Sequence, residues 1–390
     1  MSEKSLKMVK IIAICITLIV MVIAGRAFYE HRYFKGAVVL SSGVTEVKKL
    51  GDYSSSLKGT TNDCNIYILD SGKPGGTVMV IGGTHPEEPG ATLAAHLLVE
   101  NAQVEKGKLI VAIYANRSAS TVSRPGDAYP QFYHIPTDWG VKKFRMGDRW
   151  ANPLDSWPDP EVYVNYPSKQ MLAYMDIRNL NRTWPGKADG SLVERTCDAF
   201  IKLIKQEDVG LFIDLHEAEL EYPVISTIVA HQNAQEIAAM ASMMLTAMEF
   251  KRPIGMEFSP PSLHGLSHRE VGDHTDALSV LFETPEPFLD RVRGITDEHL
   301  LLTGKDPFVM KAGEYGLLYE KIDENGWPID VRIGRHISSI LQVTETFSEM
   351  YPEQVIAIKN VPRYAEVIEN GAGHYLYNPD EVPVDRVVYE

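Results

Sequence analysis

Six short apolar runs punctuate the chain from residue 65 onward: "NIYIL", "TVMVIGG", "KLIVAIYAN", "VGLFIDLHEA", "YPVISTIVAH" and "ALSVLFETP". Between them stand segments with apolar residues at helical spacing, "ATLAAHLLVEN", "SLVERTCDAFIKLIKQ" and "NAQEIAAMASMMLTAMEF". Short strands that alternate with helices can bury their apolar faces only as a sheet covered by those helices, so the pattern predicts the α/β class. With 390 residues, 44% of them hydrophobic, the chain has enough material for one large core or two smaller ones. The stretch from 118 to 170 is rich in Pro, Gly, Asp, Trp and Tyr and reads as long surface loops beside a cleft. After Glu283, "PFLDRVRGITDEHLLL", "RHISSILQVTETFSEM" and "YAEVIEN" read as helices. The organisation expected is therefore a leader over 1–35, one α/β domain over 36–305, and a mostly helical C-terminal extension over 306–390.

The leader has its own physics. "IIAICITLIVMVIAG", residues 11–25, carries no charge, follows Lys4, Lys7 and Lys10, and precedes Arg26. Fifteen helical residues span roughly 22 Å, short of a hydrocarbon core of about 30 Å unless the flanking Lys10 and Arg26 snorkel. The segment reads as a signal anchor, or as a signal peptide if it is cleaved, and either reading puts the rest of the chain outside the cytoplasm. Beyond it only Cys64 and Cys197 remain, which can be a disulfide or two buried thiols.

A net charge of -14 argues against a nucleic-acid partner, since phosphate binding needs a clustered excess of Lys and Arg. The chemistry points to a small molecule or peptide. In "IGGTHPEEPG", His85 and Glu88 lie three residues apart where a strand turns into a helix, with Gly82 and Gly83 permitting a tight backbone and Pro89 suiting a helix start. His216 ends the strand "GLFIDLHEA", where open α/β sheets present their ligand-binding edge. Two histidines and one glutamate form a zinc set that leaves a coordination position open, which predicts one catalytic Zn2+ per chain. Glu283, at the end of "ALSVLFE", is the candidate general base; Glu87, Glu217 and Glu219 compete by proximity, but they adjoin the ligands too closely to reach the far side of a bound water. In "DIRNLNRTWPG", Arg182 offers a planar fork for a substrate carboxylate and Asn181 an amide donor beside it.

At these four places together the sequence resembles the zinc carboxypeptidase superfamily, and more closely its succinylglutamate desuccinylase/aspartoacylase branch. "GGTHPEEPG" matches the H-x-x-E element, "NLNRTWPG" the Asn-Arg element, "DLH" the third ligand and "FETP" the catalytic glutamate, in the family's order. The resemblance covers roughly residues 65–300. It implies a mixed, twisted sheet with helices on both faces, zinc on His85, Glu88 and His216, Glu283 as base, and Asn181 with Arg182 on the substrate carboxylate. Pro86-Glu87 departs from the Gly-Asn or Gly-Asp often found between the H and the E. A further arginine that polarises the scissile carbonyl has two counterparts in sequence, Arg178 and Arg117. His264, His268 and His274 precede Glu283 and can line the cleft as substrate donors or a proton path.

The expected activity is hydrolysis of an amide next to a carboxylate, by a deacylase of N-acyl amino acids or a metallocarboxypeptidase acting on peptides. The alternative is a catalytically silent zinc- or peptide-binding surface protein, whose signature would be a missing ligand or base. The other expected partner is the membrane, through the N-terminal helix.

Overall fold

The structure, a computed structural model, describes residues 2–123, 129–288 and 294–390. It contains two compact units, Met1–Lys35 and Gly36–Glu390. The first is one helix, α1, Glu3–Tyr33. Its 31 residues extend about 46 Å, beyond the uncharged run, because the flanking Lys, Glu and Arg residues favour a helix. Ile12, Ile16, Ile19 and Ile23 along it are exposed, and its length is sufficient to cross a membrane.

The second unit is built on eight strands: β1 Glu46–Lys49, β2 Asn65–Asp70, β3 Thr77–Ile81, β4 Lys108–Ala112, β5 Leu211–Ala218, β6 Thr227–Ala230, β7 Gly255–Phe258 and β8 Leu278–Pro285. They lie in the order β7-β6-β8-β5-β3-β4-β2-β1. The central β8, β5, β3 and β4 run parallel, while β6 and β2 pair antiparallel to this block on its two sides. The sheet is thus mixed and covered by helices, as expected.

Alternation along each strand splits the core in two. Val78, Val80, Leu211, Ile213 and Leu215 share a cluster with helices α2 (Pro89–Asn101), α4 (Gln235–Met248) and α6 (Ile329–Met350), while α5 is the short helix Ser267–His274. Met79, Ile81 and Phe212 turn the other way, against α3 (Leu192–Gln206). Ser191 begins α3 with a reciprocal cap to Glu194. The C-terminal helix α6 therefore packs on the main sheet, within the larger core.

That helix also places a charge at depth. Arg332 is fully buried, with Nη1 3.1 Å from Glu217 Oε1 and 4.0 Å from Glu286 Oε2. Burial raises both carboxyls, and the Glu286 oxygens have no hydrogen-bond partner among the described residues. Arg332→Met strands the Glu217 carboxylate in an apolar interior, and the expected loss is about 3 kcal/mol or more in urea unfolding; a change below about 1 kcal/mol would contradict the pairing.

Two expectations differ in detail. Within 118–170, of which 124–128 lie outside the described residues, Phe132–Thr137 and Gly140–Arg145 form a hairpin, since a two-residue turn at Asp138-Trp139 suffices to pair them. The helix expected over 287–302 is confined, among the described residues, to Glu298–Thr303, where Asp297 caps Leu300 N–H; 289–293 lie outside the described residues. Cys64 and Cys197 are buried, unpaired thiols.

Candidate metal centre and active site

The site forms where the parallel strands end. β3 stops at Ile81, and residues 82–88 turn into α2, with Glu88 at the N-cap and Pro89 in the first turn. Gly83 has φ +58, and a Cβ there would meet Ile113 O at 2.7 Å, so the turn needs glycine. β5 carries His216 beyond the end of β3, and β8 lies beside β5 with Glu283 directly opposite His216. Cross-strand partners in a parallel pair point to the same face, so imidazole and carboxylate share one edge of the sheet.

His85, Glu88 and His216 offer ligand atoms that all lie within 4.8 Å of one another. His85 Nδ1 lies 2.7 Å from Glu88 Oε1, and His216 Nδ1 lies 3.0 Å from Glu88 Oε2. The far nitrogens are held from behind: His85 Nε2 by Asn179 Oδ1 at 2.9 Å, and His216 Nε2 by Asp214 Oδ2 at 3.1 Å. An acceptor at each Nε2 keeps an N–H there, so the nitrogen that a cation would bind once its proton is displaced is Nδ1, toward the common centre. Asp214 is itself fixed by Thr84 Oγ1 at 2.8 Å and Ser267 Oγ at 2.5 Å, which donate to it. Two oriented imidazoles and a carboxylate beside an open cavity are a donor set that suits zinc with one position left for water.

Burial opposes ionisation of Glu88, but the facing imidazoles outweigh it and hold the carboxyl well below the usual range. Burial likewise opposes protonation of His216, yet Asp214 and Glu88 on its two sides raise its pKa well above the ordinary value. A cation entering the cluster must displace that proton. Zinc affinity is therefore expected to fall by about tenfold per unit as pH drops below neutrality, measured by competition with a chelator; a flat profile would contradict it.

A cavity of about 430 Å³ opens on this cluster and is lined by Asn181, Arg182, Arg149 and Glu283 among others. Burial pushes Glu283 up to about 8, with His216 opposing, and its Oε2 is buried without a hydrogen-bond partner. Asn181 Nδ2 stands 3.4 Å from His216 Nε2. Arg182 is half-buried; its Nη1 donates to Asn181 O at 2.7 Å, and it makes no ion pair among the described residues. Burial works against that charge. A guanidinium so placed is matched to an incoming anion.

The structure brings all six predicted residues, His85, Glu88, Asn181, Arg182, His216 and Glu283, to one cavity. Neither arginine weighed for the carbonyl lies there: Arg178 is 3.7 Å from Asp159, and Arg117 donates to Thr61 O. The arginine beside the cluster is Arg149, whose Nε donates to Glu87 Oε1 at 2.9 Å and whose Nη2 lies 3.5 Å from Glu88 Oε1. Of the three later histidines only His268 lines the cavity; burial, with His216 adding to it, lowers its pKa to about 3, so it is neutral. His264 and His274 flank Glu270 instead. Glu217 lies on the opposite pleat from His216, where Gly90 N–H and Arg332 hold its carboxylate.

No family model and no curated protein matches the sequence. Solved structures do. The structural neighbours include a succinylglutamate desuccinylase, an aspartoacylase family protein and a metallo-carboxypeptidase. A succinylglutamate desuccinylase from Silicibacter sp. TM1040 is 16% identical with TM-score 0.34, covering 56% of this chain and 52% of its own. A metallo-carboxypeptidase from Burkholderia cenocepacia is 14% identical with TM-score 0.42, covering 82% and 68%. The cell shape determinant protein Csd4 from Helicobacter pylori is 11% identical with TM-score 0.42, covering 77% and 57%. The chain thus spans about half the length of the desuccinylase.

Proposed function

We propose that the chain is a zinc-dependent hydrolase that cleaves an amide bond next to a free carboxylate, as a deacylase of N-acyl amino acids or as a carboxypeptidase on peptides. The observation that carries this reading is the convergence of His85 Nδ1 and His216 Nδ1 on Glu88, with Glu283 opposite His216 on the neighbouring strand. Zinc, when bound, supplies a water of lowered pKa and polarises a carbonyl. His85, Glu88 and His216 would hold the ion, and Glu283, beside them in the cavity, would take a proton from the attacking water and return it to the departing amine. Arg182 grips the substrate carboxylate in two parallel hydrogen bonds while Asn181 donates beside it, and Arg149 faces the carbonyl oxygen.

The helix Glu3–Tyr33 serves as signal anchor or signal peptide, with the second unit outside the cytoplasm. The two enzyme readings are separated by a screen of the zinc-loaded chain against N-acyl amino acids and short peptides. Turnover is expected in one of the two classes and only where the carboxylate is free; equal turnover of the matching carboxamides would contradict the role of Arg182. Stoichiometric zinc with no turnover of either class would favour the silent binding protein.

A further inference from the structure

The cavity extends well past the metal ligands, and the sheet register traces its floor. Two residues before Glu283 on the same face is Leu281, which pairs with Val229 on β6, and Val229 pairs with Glu257 on β7. All three line the cavity with Glu283. With strands about 4.8 Å apart and about 3.3 Å per residue, Glu257 Cα lies about 12 Å from Glu283 Cα. Between the two carboxylates the floor is the apolar pair Val229 and Leu281, and Leu263 and Leu266 add apolar wall.

Glu257 is exposed at the far end and makes no side-chain hydrogen bond or ion pair among the described residues. The two arginines of the cavity are placed elsewhere: Arg149 is engaged by Glu87 and Glu88, and Arg182 rests on Asn181 beside the ligands. A strip of methylene-compatible surface that ends on an unpaired carboxylate complements an aliphatic stem ending in a cation.

Resting on the hydrolase reading above, we propose that this arm of the cavity selects substrates with a basic, lysine-type side chain, whose stem lies over Val229 and Leu281 and whose terminal charge meets Glu257. The residue carrying the free carboxylate is then itself cationic at its other end, and the site holds it at two points, Arg182 and Glu257.

The test uses the zinc-loaded full-length chain in detergent and substrates that differ only in one side chain: lysine, norleucine and glutamate. Each is offered both as an N-acyl amino acid and as the C-terminal residue of a short peptide. In the format that is cleaved, lysine should exceed norleucine about tenfold in kcat/KM, and Glu257→Gln should bring that ratio close to one. Glu257→Lys should reverse the order so that glutamate exceeds lysine. Norleucine cleaved as well as lysine, or a ratio that Glu257→Gln leaves unmoved, overturns the assignment while the hydrolase reading stands. No turnover of any substrate in either format, with zinc bound, overturns both.

Discussion

Glu283→Gln should retain one zinc per chain and lose roughly a thousandfold in kcat. Glutamine keeps the size and polarity of the side chain but cannot accept a proton. The position makes the loss specific: Glu283 stands opposite His216 in the register, on the cavity side of the sheet, with one carboxyl oxygen free of any partner. Glu87, the nearest rival in the ligand loop, is tied up by Arg149, and Glu217 is held on the other pleat by Gly90 and Arg332. Neither can substitute. KM should move little, because Arg182 and Asn181 remain to hold the substrate. Unchanged turnover in the variant would remove Glu283 from the chemistry.

The second large effect concerns the ion itself. His216→Ala deletes one of the three proposed ligands and should lower zinc content from near one per chain to near zero after dialysis. Asp214→Asn keeps all three ligands but weakens the acceptor behind His216 Nε2, at 3.1 Å, and should cost about 10–100-fold in zinc affinity. The gradation separates a ligand from the group that orients it. Full zinc retention in His216→Ala, with the fold intact by circular dichroism, would break the ligand assignment.

The proposed ligands and base could be singled out in the sequence, and their meeting at one cavity expected, because strand ends announce themselves. His216 and Glu283 each close an apolar run and His85 follows one closely, and neighbouring parallel strands bring such ends to one edge of the sheet. Asp214 had a local signal that went unread: two residues before His216 on the same strand, it must point to the same face. Asn179 had a weaker one, inside the same "NLNR" stretch as Asn181 and Arg182. Arg149 had none. It follows a hairpin that the Pro- and Gly-rich composition concealed, and reaches the site by tertiary packing. Arg332 is likewise invisible locally, since its partner Glu217 lies more than a hundred residues earlier and only the crossing of α6 over the sheet joins them.

Anomalous diffraction at the zinc edge from the zinc-loaded protein examines the ligand geometry directly. A single strong peak is expected about 2.0–2.2 Å from His85 Nδ1, His216 Nδ1 and a Glu88 oxygen, with its remaining side facing the cavity and Glu283. A peak bound elsewhere, such as between His264, Glu270 and His274, or one whose fourth position is closed by a protein side chain, would contradict it.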